Sequence, residues 1–142
     1  MKASILIADH EAALADAIRN YLIARGYKAE AATTGLQCQE LLGTFKPALL
    51  VLNSEILWGG GDGILEWLIQ EEPLMSPMVI VFSGSGITER LETWVDARID
   101  RPESLSDLLG FVSQLESLAW WSQSPGRDST SLRKWTRNTG AV

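Results

Sequence analysis

Two five-residue runs, Ala48-Leu49-Leu50-Val51-Leu52 and Met78-Val79-Ile80-Val81-Phe82, are apolar without a break. A strand with one face in water alternates polar and apolar residues, whereas a strand covered on both faces has no reason to. Continuous runs of this kind belong to parallel sheets whose crossover helices lie on each side. They are far short of the ~20 residues that cross a bilayer. They predict the buried middle of an α/β domain.

The rest of the chain supplies the crossovers. A strand around Ile5-Leu6-Ile7-Ala8 is followed by Leu14, Ile18, Tyr21 and Leu22, spaced as one face of a helix that Gly26 would stop. Lys28-Ala29-Glu30-Ala31 alternates like an exposed edge strand. Thr34 and Gln37 have capping-box spacing, and Cys38, Leu41, Leu42 and Phe45 form a second helical face before Pro47. Further helices are expected over Gly63 to Glu71, Thr88 to Val95 and Ser104 to Leu118, with a short strand from Ala97 to Asp100. The last helix has an apolar stripe of Leu105, Leu108, Leu109, Val112, Leu115 and Leu118, with Ser104 and Asp107 as its cap after Pro102. Five strands alternating with five helices predict a doubly wound α/β domain on a five-stranded parallel sheet.

A length of 142 residues suits one domain, and 46% hydrophobic with 21% charged residues is the composition of a globular chain. Cys38 is the only cysteine and His10 the only histidine, which excludes an internal disulfide and a Cys/His zinc site. The apolar stretch behind Lys2 is too short for a signal-peptide core, so a cytoplasmic location is expected. Met1 to Leu118 carries 8 Lys and Arg against 17 Asp and Glu, while Ala119 to Val142 carries Arg127, Arg133, Lys134 and Arg137 against Asp128 alone. The expected division is an acidic domain over 1–118 and a basic, Trp-containing tail over 119–142.

In an open parallel sheet, ligands meet the carboxyl ends of the strands. Four polar residues end four strands here: Asp9, Asn53, Ser83 and Arg101. With Pro47-Ala-Leu-Leu-Val-Leu-Asn53, Asp62-Gly63, Val79-Ile-Val-Phe-Ser83 and Arg101-Pro102 in order, Ser4 to Leu118 resembles the response-regulator receiver domains. The resemblance implies a flavodoxin-like sheet of strand order 2-1-3-4-5. It also implies a phosphorylation site, and here the residues depart from the family. His10 stands where a second magnesium-binding acid is expected, and magnesium wants hard oxygen ligands. Asn53 stands where the phosphoacceptor aspartate is expected, and a neutral amide is a poor nucleophile that brings no charge to a cation. Arg101 replaces the lysine; Ser83 is an ordinary family choice. The loop after Asn53 is longer than usual, with Leu57-Trp58 in place of a Pro-Gly turn, and Arg98 replaces the aromatic residue that follows phosphorylation.

The expected function is therefore that of a pseudo-receiver: no enzyme, no cofactor, no metal, and signalling through phosphorylation-independent contact with a partner. Asp9 and Arg101 would then form a buried ion pair in the vacated site. Two alternatives stay open, a receiver-like domain governed by a small ligand or unorthodox phosphorylation at the strand ends, and a flavodoxin-like cofactor binder or enzyme. The second is weakened because His10-Glu11-Ala12-Ala13 has no Gly, Ser or Thr to approach a phosphate. Cys38 reads as core. Of the six tryptophans, Trp67 and Trp94 read as packed on helices, while Trp58 is in a loop and Trp120 and Trp121 follow the last helix.

The resemblance places the partner, another signalling protein or a second copy, on the face of the fourth helix, fifth strand and fifth helix. Trp94, Arg98, Trp120 and Trp121 are the candidate contact residues. The tail suits an acidic partner, and nothing after Leu118 is large enough for a DNA-binding domain.

Overall fold

The computed structural model describes residues 3–56, 60–71, 77–82, 93–100, 102 and 105–123. The strands are β1 (Ser4–Ala8), β2 (Lys28–Ala32), β3 (Leu49–Leu52), β4 (Met78–Phe82) and β5 (Ala97–Ile99). The helices are α1 (Ala12–Ala24), α2 (Gly35–Thr44), α3 (Gly60–Glu71) and α4 (Leu108–Gln123), the last entered through a 3-10 turn at Leu105–Asp107. All strand pairs are parallel, and the order is β2-β1-β3-β4-β5. This is the doubly wound order that the resemblance to receiver domains implies.

Two apolar layers explain why the central runs do not alternate. Ile5 and Ile7 of β1, Leu49 and Val51 of β3 and Ile80 of β4 pack with Leu14, Ile18 and Leu22 of α1 and with Leu108, Phe111, Val112 and Leu115 of α4. Their neighbours Leu6, Leu50, Leu52 and Val79 point the other way, onto Cys38 and Leu42 of α2 and Ile64, Leu65 and Leu68 of α3. Successive side chains on a strand face opposite sides, so a strand with apolar layers on each must be apolar at every position. β2 is an edge strand paired with β1, and it keeps Lys28 exposed while Ala29 is buried.

Local signals act as the sequence suggests. Gly26 ends α1 in the left-handed region with φ 94°. Its N–H donates to the Ile23 carbonyl at 2.9 Å and the Tyr27 N–H to the Leu22 carbonyl at 3.1 Å, the paired bonds of a Schellman stop. A side chain there meets its own carbonyl, so Gly26→Ala is expected to lower stability by about 1–2 kcal/mol in urea unfolding. An unchanged midpoint would mean that the turn relaxes out of the left-handed region. Thr34 caps α2 by accepting the Gln37 N–H at 3.2 Å. The Gln37 side chain reaches back to the Thr33 N–H at 2.9 Å, one residue before the cap.

Several boundaries and faces differ from expectation. Tyr21 and Leu109 are 39% and 52% exposed, whereas Phe111, outside the expected stripe, is buried. Each exposed residue lies on the flank of its helix, beyond reach of the layer beneath. α3 begins at Gly60, ahead of the expected Gly63. α4 begins at Leu108 and continues to Gln123, past the expected boundary at Leu118. No glycine or proline follows Leu118 before Pro125, and Ala119, within the extended part of the helix, is buried. Trp120 and Trp121 are thus part of the helix and do not follow it. Most of the expected helix Thr88 to Val95 lies outside the described residues, as do Ser104 and the tail 124–142; Thr93 and Trp94 form a turn that leads into β5. Among the described residues, no helix is long and apolar enough to cross a membrane.

Candidate functional site

β1 and β3 are neighbours, with Ala8 opposite Leu52, so the residues that follow them leave the carboxyl edge of the sheet side by side. The ladder holds both in place: the Asn53 N–H donates to the Ala8 carbonyl and the Asp9 N–H to the Ala32 carbonyl, each at 2.9 Å. Asp9 is fully buried. Its Oδ1 accepts the Glu11 N–H at 2.9 Å, a turn that feeds the chain into α1.

Asn53 is also buried, at 6% exposure. Its Oδ1 accepts the Glu55 N–H at 2.9 Å, which fixes the start of the following loop. That bond assigns the carboxamide orientation and turns Nδ2 toward His10, whose Nδ1 lies 3.4 Å away. An amide NH2 only donates, so this contact is a hydrogen bond when Nδ1 is the unprotonated nitrogen of the ring. The same Nδ1 lies 3.8 Å from Asp9 Oδ1. The exposed imidazole thereby covers the edge of a buried carboxylate and a buried amide.

The structure brings together Asp9, His10 and Asn53. It adds Ser54, buried at 8% exposure, which no sequence signal distinguished from any other loop serine. Ser83 and Arg101 lie outside the described residues, and with them the expected Asp9–Arg101 pair. Asp96 was likewise missed by sequence reasoning; it is 2% exposed and lies before β5, away from these strand ends.

The donor set decides what this arrangement can hold. A hard, octahedral dication needs several anionic oxygens. The gathered residues offer one carboxylate, with one oxygen already engaged by Glu11, one imidazole and one amide. Among the described residues, no group of three or more His, Cys, Asp or Glu could hold a metal ion. These residues do not fit the divalent cation that the fold family implies. Nor does Asn53 offer a nucleophile, since its amide nitrogen has no free electron pair to attack phosphorus. Burial pushes the Cys38 thiol up to about 12, which leaves it an unreactive core group.

Of the candidate contact residues whose side chains are described, Trp94 and Arg98 lie on the α2–α3 side of the sheet and Trp120 on α4. Trp94 is half-buried against the α2–α3 layer. Arg98 is half-buried at the centre of β5, between Ala97 and Ile99, which face the α1–α4 layer; by alternation it points to the other side. Trp120 stands 68% exposed on α4. Trp121 belongs to the same helix, and its side chain lies outside the described residues, as does Trp58.

No protein-family model and no curated protein matches this sequence. Solved structures do match its fold. The response regulator domain of Thermotoga maritima CheB superposes with a TM-score of 0.70 at 19% identity, covering 86% of this chain and 96% of that one. A CheY-like response regulator receiver domain protein from Methanospirillum hungatei JF-1 gives 0.68 at 17% identity, over 84% and 98%. The Mn(2+)-bound form of the response regulator Rcp1 gives 0.66 at 18% identity, over 89% and 99%. With the parallel 2-1-3-4-5 sheet, these likenesses define the class: the chain has the receiver fold of the response regulators.

Proposed function

We propose that the chain is a pseudo-receiver, a non-enzymatic signalling domain that works by binding a protein partner without accepting a phosphoryl group. The observation that carries this reading is the state of Asn53. It occupies the end of β3 with both ends of its carboxamide engaged, toward Glu55 and toward His10. The signalling role rests on the fold shared with response regulator domains. Rcp1 is described in a Mn(2+)-bound form, whereas the strand ends here present one carboxylate among Asp9, His10 and Asn53. A site that offers neither a nucleophile nor the anionic oxygens a dication needs has no phosphorylation switch, so its output is constitutive. The partner is another signalling protein docking along β5 and the adjoining side of α4, and the basic tail favours an acidic surface on it.

Incubation with acetyl phosphate and magnesium, followed by intact mass measurement, is expected to leave the mass unchanged. A stable phosphate adduct mapped to the strand ends would refute the proposal.

A further inference from the structure

Five large apolar side chains stand exposed among the described residues: Tyr21, Ile23, Leu36, Leu109 and Trp120. Three of them meet at one seam. Leu109, Glu116 and Trp120 are seven and four residues apart, which puts them on one face of α4. Glu116 shows where that face points. Its Oε1 lies 2.9 Å from Arg25 Nη1 at the end of α1, and its Oε2 accepts the Tyr27 hydroxyl at 3.3 Å. Tyr21 is one turn before Arg25 on the same face of α1. Tyr21 and Arg25 on one side, and Leu109, Glu116 and Trp120 on the other, therefore line the α1–α4 seam. This is the flank of α4 turned away from β5. Ile23 falls on the far flank of α1, and Leu36 is on α2, across the sheet.

We infer that this seam is a self-association surface, and that its occupant is a second copy of the chain. Charge is the reason for choosing a copy. The chain carries a formal net charge of −6, so most of its surface repels another copy. An isologous contact sets a patch against itself, which penalises any patch of one sign. Among the described residues, the seam's charges are Arg25 and Glu116, one of each sign and paired with each other. Around them are a tryptophan, a tyrosine and a leucine, and tryptophan, tyrosine and arginine are the residues that interface centres favour. α1 and α4 both return the chain from the carboxyl to the amino ends of parallel strands, so they run side by side in one direction. A two-fold axis across them brings Trp120, near the C-terminal end of α4 in one copy, toward Leu109, near its N-terminal end in the other, with Tyr21, in the last turn of α1, between them. The proposed partner surface along β5 lies on the opposite flank of α4, so the two contacts are compatible.

Sedimentation velocity of the full chain from about 1 to 100 µM, the range where contacts of moderate affinity are populated, is expected to show a concentration-dependent dimer. Trp120→Ser and Leu109→Ser should each weaken it about tenfold or more, with unchanged far-UV circular dichroism and Tm, because both side chains are exposed in the single chain. Ile23→Ser, an equally exposed change off the seam, should leave the dimer intact. A wild-type monomer across the range overturns the inference, as does a dimer that survives both seam substitutions. A monomer that dimerises only when Arg133, Lys134 and Trp135 are replaced also overturns it, and gives the seam to the chain's own tail.

Discussion

Replacing His10 and Asn53 together by aspartate is expected to turn a site that ignores magnesium into one that depends on it. Asp9 and Asn53 are both buried at the ends of adjacent strands. The double variant gathers three carboxylates there, and like charges held together in a desolvated place raise the cost of folding. Without metal it should unfold about 1–3 kcal/mol more easily than the wild type. Magnesium at about 100 times its dissociation constant should return about 2.7 kcal/mol, since it binds the folded state alone. Urea unfolding with and without magnesium measures both effects, and a tryptophan fluorescence titration reports the binding directly. The wild-type midpoint should not move. A wild type stabilised by magnesium as much as the double variant would show that its donor set has been misjudged, and with it the pseudo-receiver reading.

Asp96→Ala is expected to destabilise the fold by about 1–3 kcal/mol, although the residue is far from the strand ends. Asp96 is 2% exposed and serves Val79 twice. Its N–H donates to the Val79 carbonyl at 2.8 Å, and its Oδ2 accepts the Val79 N–H at 2.8 Å. The carboxylate thus starts the β4–β5 ladder. Truncation would leave the Val79 N–H of β4 without its acceptor, and β5, the strand that pairs with it there, has only three residues to hold the ladder. Asp96→Asn keeps an oxygen in place and should cost less. Urea unfolding of both variants tests this, and an Asn variant as damaging as the Ala one would move the cause from the Val79 N–H to the lost charge.

The sequence by itself determined the architecture, because its signals are local and periodic. Unbroken runs at Leu49–Leu52 and Met78–Phe82 require apolar layers on both sides of a sheet. Gly26 and Thr34 mark helix ends through backbone chemistry that needs no tertiary partner. Asp9 and Asn53 were recognisable as strand-end residues for the same reason. Tertiary structure alone decided what those residues touch. The Asn53–His10 contact joins positions 43 apart, and the Val79–Asp96 bond joins positions 17 apart. No periodicity records such pairs, since they exist only once the sheet has assembled. The flanks of the helices were equally undetermined. Tyr21 and Leu109 repeat at core spacing yet stand in solvent, while Phe111 is buried. Helical spacing fixes the direction of a side chain, and the neighbouring helix decides whether anything is there to meet it.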